Sequence, residues 1–497
     1  MSNTNIEAIK EKLELKKITE EQVQYFYMNS QKYCCDYDID CMYHTIKEYE
    51  FLKPVKRLAY YYKHYFPKLY LRNRDKFKNM GKEPIYIEEY NDDMDQIVLQ
   101  YSKCFKNMLM LILWPTCNIN KNIKETNFYK LLEQHATVHA IKKVTLSYKE
   151  VQGSINQIYY DKDGFRKFDR IKEKQKNTMS DNNENKFHII LFIPNEHDKI
   201  TGTNAPLKKV FRENLMVESE ITGISENMFL HCTDNFRETV ELSQLFFHKT
   251  SVKLLNIQRM DRFLNPNNEK SAILLMTHKN WLYKNIKLVD QMRFLIFSSM
   301  VLYSLGTRRA NDLDLIIYHN PPCDENIKYG KCKTDNFIEK VLHFYYNKET
   351  SFDFVDFHMK GYDGWVEGGE KEYLNDWFEK EWPSMYGSKS LHDTMFNPNY
   401  HYYFHGVKVI SFMADIARRV KRARAAAYAD LIGLQVFNGL RIKIPPVPKH
   451  YWVNHVEKEY TPEDIERLIR TIMNYLYHRY HLKYTKSDVL KYISITK

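Results

Sequence analysis

The chain has 497 residues, 43% of them hydrophobic and 28% charged, with only 15 glycines and 15 prolines. That composition excludes a collagen-like, disulfide-stapled or disordered protein, and the length suggests roughly two to four domains, each able to bury a core. The formal net charge of +11 suits nucleic acid, a nucleotide or another anionic partner without requiring one.

The eight cysteines are Cys34, Cys35, Cys41, Cys104, Cys117, Cys232, Cys323 and Cys332. They form no CxxC pair and no zinc spacing, and the adjacent Cys34 and Cys35 chelate poorly even with Cys41 and His44 close by. They read as reduced thiols of an intracellular protein. The polar, charged start is unlike a signal peptide. The longest apolar run, near residues 108–114, falls far short of the ~20 residues of a membrane span. A cytoplasmic protein with no membrane span is expected.

The fold class expected is α+β. Residues 1–135 read as a mainly helical N-terminal domain. Thr19 and Gln22 stand at capping-box spacing. Residues 49–71 place aromatics at helical intervals among lysines and arginines, the pattern of an amphipathic helix with a snorkelling cationic rim. Residues 136–285 read as a small α/β domain of unassigned role. Partial alternation over 136–148 predicts a strand, and residues 187–194 predict a buried one. Between them, 172–185 is nearly free of aliphatic residues and predicts a mobile loop. A basic amphipathic helix follows a turn over 200–215. Its Lys208, Lys209 and Arg212 make either a solvated face or a phosphate contact. His231 is expected to be structural, tied to a helix capped by Thr233 or Asp234.

Residues 286–445 read as a mixed-sheet domain. The apolar stretch 286–305 fits a helix, or a helix followed by a strand. Helical spacing recurs over 336–347, and Phe and Val make 351–359 a strand. Residues 400–434 turn from aromatic to helical and basic. The last part, 446–497, reads as a helical C-terminal segment, with Thr461 as N-cap, Pro462 at the first helical position and acids in the first turn.

The chemistry concentrates between Leu302 and Asn320. Asp312 and Asp314 lead an apolar run, Leu315, Ile316 and Ile317. On a strand the two carboxylates share one face while Leu313 and Leu315 take the other. Adjacent carboxylates repel unless a cation lies between them. Oxygen-only ligands suit Mg²⁺ or Mn²⁺ rather than Zn²⁺. A third carboxylate on a neighbouring strand would complete a two-metal site for in-line phosphoryl transfer. Asp353 and Asp356 are three apart and cannot both face one side of a regular strand. Asp356, more deeply flanked by apolar residues, is preferred. Upstream, Gly306 permits a sharp turn. Its neighbouring N–H groups, the Thr307 hydroxyl, Arg308 and Arg309 are suited to a triphosphate.

These residues resemble the DNA polymerase β-like nucleotidyltransferase superfamily over residues 286–440. The poly(A)-polymerase-like branch and the fukutin/choline-phosphate-transferase-like branch are the two nearest in pattern. The resemblance implies a mixed sheet backed by helices, two divalent ions, and attack of a hydroxyl on the α-phosphate of a nucleoside triphosphate. It implies that Gly306 and Thr307, with Arg308 and Arg309, grip the phosphates. It also implies that Asp312, Asp314 and Asp356 bind metal, and that Asp356 helps activate the hydroxyl. The family usually leaves roughly nine to thirteen positions between its glycine and the first aspartate, whereas Asp312 comes only six residues after Gly306.

Downstream, Lys408, Arg418, Arg419, Lys421, Arg422 and Arg424 read as a basic helix. It is either an exposed face or the place where nucleic-acid phosphates bind, through Lys408, Arg418 and Arg422. Three functions are thus expected, in order. The first is nucleotidyl transfer to RNA, with DNA the lesser choice. The second is transfer of a phosphorylated alcohol onto a glycan. The third is an inactive, nucleic-acid-binding scaffold. The Asn, Lys and Tyr usage is similar to that of proteins of large cytoplasmic DNA viruses, which implies host cytoplasm or virion.

Overall fold

The computed structural model describes residues 67–73, 83–119, 122–159, 185–195, 206–221, 223–259, 269–285, 290–310, 313–318, 355–360, 391–422, 424–453 and 456–494. The chain divides into Met1–Lys82 and Glu83–Lys497. In the first unit, helix α1 (Pro67–Arg72) is the described element. The expected capping box at Thr19 and the helix at 336–347 lie outside the described residues, as does the expected loop 172–185 except for Asn185, which is buried at the start of a strand.

The second unit begins with β1 (Ile85–Glu88), α2 (Asp92–Ser102), β2 (Leu109–Leu113), α3 (Asn127–His135) and β3 (Ala136–Leu146). It continues with α4 (Tyr148–Ile158), β4 (Asn185–Pro194), α5 (Pro206–Ser219), β5 (Leu230–Cys232), α6 (Phe236–Phe246) and α7 (Lys249–Leu254). The five strands form one sheet in the order β1-β3-β4-β2-β5. Only β1 with β3 is parallel; the other pairs are antiparallel. Strand β2 is buried at every position, which explains its unbroken apolar run: a strand covered on both faces shows no alternation. A core of Leu111, Leu113, Phe128, Ile190, Phe192, Phe211 and Leu230 fills one face, under α3 and α5.

This sheet corrects the expected boundary at residue 135. Strands β1 and β2 come from the region expected to be helical, and they pair with β3, β4 and β5 from the next. A boundary there would cut a continuous ladder. The strands expected at 136–148 and 187–194 are β3 and β4. His231 is structural as expected, but the cap is Asn235, whose side chain accepts from the Glu238 amide. His231 Nε2 lies 3.0 Å from Glu238 Oε1, and Glu238 in turn accepts from the Asp234 N–H. Lys208 points to the Cys232 carbonyl and Asp234 rather than to an open phosphate cradle.

Then come α8 (Glu269–Asn285), β6 (Phe294–Phe297), α9 (Ser299–Ser304), β7 (Leu313–Tyr318), β8 (Val355–Lys360), α10 (Leu391–Phe396), β9 (His401–Phe404) and β10 (Val407–Ile410). Their strands make a second mixed sheet, β8-β7-β6-β10-β9. In it β8 runs parallel to β7, β7 antiparallel to β6, β6 parallel to β10, and β10 antiparallel to β9. The stretch 286–305 therefore contains a strand followed by a short helix. Helices α11 (Phe412–Arg422) and α12 (Ala425–Asn438) follow, then a hairpin of β11 (His450–Val453) and β12 (Val456–Glu459), then α13 (Pro462–Tyr480) and α14 (Lys486–Leu490). The α13 start is the one expected: Thr461 and Asp464 form a capping box, with Pro462 inside it. Tyr428 and Ile432 of α12 share a core with Ile469, Ile472 and Leu476 of α13. The C-terminal helical layer thus begins before residue 446.

Where the first sheet's helices meet the second sheet, basic side chains are buried together. The His248 and His401 rings stack 5.0 Å apart. The Tyr403 N–H donates to Ser251 Oγ at 2.8 Å. Lys103 Nζ lies 5.7 Å from the Tyr403 ring centre and has no hydrogen-bond partner among the described residues. Lys142, fully buried on β3, reaches Asp95 Oδ1 at 2.7 Å and the Phe246 carbonyl at 2.9 Å. Burial presses this pair toward neutrality, raising Asp95 to about 6 and lowering Lys142 to about 8. No helix among the described residues is long and apolar enough to cross a membrane.

Candidate active site

The site is built on three neighbouring strands. The apolar Phe294–Phe297 segment is buried in mid-sheet. Antiparallel pairing sets Phe297 opposite Asp314, and parallel pairing sets Asp314 beside Asp356. Asp314 is half-buried. Asp356 is described at the level of its strand, while Asp312 and Asp353 lie outside the described residues. The third aspartate preferred from sequence is therefore on the adjacent strand, at the matched position.

Directly after Phe297 the chain turns at Ser298, with φ 65° and ψ −122°, into α9. That conformation is nearly confined to glycine, and a side chain there costs ~1–3 kcal/mol unless the surroundings hold it. The surroundings do. Arg419 Nη2 donates to the Ser298 carbonyl at 2.9 Å, and the Arg418 guanidinium lies over the Phe297 ring, 5.7 Å from its centre. Ser298 makes no side-chain cap bond. Ser298→Gly should therefore raise the free energy of unfolding by ~1 kcal/mol, read from urea melts at pH 7. A lower value would mean the turn is not strained.

The Gly306 turn has a different job from the one expected. Gly306, at φ 69°, terminates α9. Its N–H donates to the Tyr303 carbonyl at 2.8 Å, and the Thr307 N–H donates to the Leu302 carbonyl at 2.9 Å. These are the two bonds of a Schellman cap, so neither amide is open to a phosphate. A Cβ at Gly306 would meet the Arg259 carbonyl oxygen at 2.4 Å. The Thr307 hydroxyl is buried and donates to Asn438 Oδ1 at 2.8 Å. Arg308 forks onto Asp430, Nε to Oδ1 at 2.9 Å and Nη2 to Oδ2 at 3.2 Å. Of the four, Arg309 alone is exposed. The expectation that Gly306, Thr307 and Arg308 grip phosphates is corrected: helix termination and burial occupy them.

The basic helix is corrected in the same way. Lys408 lies on β10, paired with Tyr403, and is 5% exposed. Its ammonium donates to the carbonyls of Met292 and Met395. Burial, reinforced by Lys103, pushes its pKa well below that of a free lysine. Arg418, also buried, donates to Asp415 Oδ1 at 3.0 Å. Neither presents a charge to a nucleic-acid backbone; of Arg422 only the helix is described. Arg419 links Asp415, Asp430 and the Ser298 carbonyl. The Tyr480 hydroxyl donates to Asp430 at 2.5 Å. Burial alone would raise Asp430, but Arg308 and Arg419 outweigh it and hold its carboxyl well below the usual range. Breaking a buried pair of this kind costs ~3–5 kcal/mol, so this network clamps α11, α12 and α13 to the turn beside Asp314.

Sequence reasoning did not single out Ser298 or Asp430, and it read Arg419 only as part of a basic helix face. Asp314 and Asp356 offer hard oxygen donors at adjacent register positions, which fits Mg²⁺ or Mn²⁺. Among the described residues no three His, Cys, Asp or Glu side chains converge as a metal group. Comparison with family models, curated proteins and solved structures found no match.

Proposed function

We propose that this chain transfers a nucleotidyl group from a nucleoside triphosphate to a hydroxyl, with an RNA 3′ end as the favoured acceptor. The observation that carries the reading is the register of β6, β7 and β8, which aligns the Ser298 turn, Asp314 and Asp356 across adjacent strands. Asp312, Asp314 and Asp356 would hold Mg²⁺ or Mn²⁺, which would supply charge neutralisation at the reacting phosphate. The acceptor oxygen bonds to the α-phosphorus, the bond to the bridging oxygen breaks, and pyrophosphate leaves. Asp356 takes the hydroxyl proton.

The test is incorporation of each labelled nucleoside triphosphate into an RNA primer, with Mg²⁺ or Mn²⁺ and with chelator. Metal-dependent extension is expected. No incorporation from any of the four, on RNA or DNA, would sink the reading. The burial of Thr307 and Arg308 favours a second reading, an inactive scaffold of the same fold. That reading expects no incorporation and no change on substituting Asp314.

A further inference from the structure

Helix α12 ends at Gly439, in the left-handed region at φ 65°. The chain then turns back along the helix end, where the Gln435 side chain donates to the Ile442 carbonyl. Between this segment and Tyr492 lies a groove of about 530 Å³, lined among others by Gln435, Gly439, Arg441, Lys443 and Tyr492. Arg441 and Lys443 are exposed, and the described lining contains no carboxylate. Tyr492 lies nearly parallel to Tyr484, with ring centres 6.0 Å apart and planes at 15°. Residues 439–497 carry eleven Lys and Arg against six Asp and Glu, so the surrounding field is positive.

Two cations beside a pre-stacked aromatic pair match what a single-stranded nucleic acid offers: regularly spaced phosphates and flat bases. A groove free of acids imposes no repulsion on a polyanion, and stacking distinguishes bases from a merely acidic peptide. The groove's inner end is tied to the turn that terminates α9. Asn438, adjacent to Gly439, accepts from the Thr307 hydroxyl and donates to the carbonyls of Ile257 and Leu305. Thr307 is five residues before Asp312.

We propose that this groove binds single-stranded RNA, with phosphates on Arg441 and Lys443 and a base against Tyr492. Calling that strand the acceptor rests on the nucleotidyl-transfer reading; the binding does not. The experiment uses the full chain and fluorescein-labelled oligo(U) and oligo(A) of fifteen nucleotides, by anisotropy across a salt series, without nucleotide or metal. Arg441→Glu with Lys443→Glu is expected to weaken binding at least tenfold and to flatten the logarithmic salt dependence by about 1.4, the share of two phosphates on a single strand. Tyr492→Leu, which keeps apolar packing, is expected to lose about tenfold without changing that slope. RNA binding by the wild type without any incorporation would overturn the transfer reading alone. A double variant that binds RNA like the wild type, or a wild type that takes polyglutamate as tightly as RNA, overturns the groove assignment.

Discussion

Asp314→Asn is expected to lower nucleotide incorporation by at least ~10³-fold, and Asp356→Asn by as much. The reason lies in the ladder: Asp314 and Asp356 are direct partners on parallel strands, so each supplies charge that the other alone cannot. Because the two act as a unit, the double variant should be no slower than either single one. Melting temperature gives a second readout. Added Mn²⁺ should raise the wild-type melting temperature, since a ligand that binds only the folded state stabilises it, and should leave the variants unmoved. The thermal shift needs no knowledge of the acceptor. A variant that still incorporates at half the wild-type rate would end the metal-ligand assignment of that residue.

Local patterns were legible in the sequence, and long-range ones were not. The capping box at Thr461 and the strands around Ile141 and Ile190 depend on neighbours a few residues away, so periodicity and cap chemistry suffice. Strand β2 escaped because an all-apolar run of five residues has no period to read. The Arg308–Asp430 fork spans 122 positions and leaves no local trace, whereas the apolar flanks of Asp356 were enough to place it on a strand neighbouring Asp314. Gly306 shows how a correct residue-level inference lands on the wrong role. Its left-handed conformation was foreseeable, but a glycine that ends a helix and one that cradles phosphate look alike in sequence. The short interval from Gly306 to Asp312 was the clue that this glycine ends a helix instead.

Acidification from pH 7 to pH 5 should remove on the order of 8 kcal/mol of stability, comparable to the ~5–15 kcal/mol that holds a typical domain. The cause is buried, neutral histidine. Burial lowers His139 and His188 to about 4, and His248 and His278 to about 3. His401 is lowered too, by burial first and then by Lys408 and His248. Each of these folded-state values lies below the unfolded ~6.5. The stabilisation is therefore complete above pH ~6.5 and is lost as pH falls, because the unfolded chain takes protons that the folded one refuses. At pH 5 each of the four histidines with a stated value costs ~2 kcal/mol, and His401 adds to the same side. Asp95, raised to about 6, works the other way between its unfolded value near 4 and pH 6, and offsets about 1 kcal/mol. Burial first, and then Lys408, Lys142 and Lys103, keep His248 from accepting a proton in place. Net uptake on unfolding at pH 5.5 should be about four protons, read from the pH dependence of the urea midpoint. His278→Met should reduce that by about one, since it removes one proton acceptor from the unfolded chain. A urea midpoint equal at pH 7 and pH 5 would show that these rings titrate freely in the folded protein and that the basic layer between the two sheets is hydrated rather than closed.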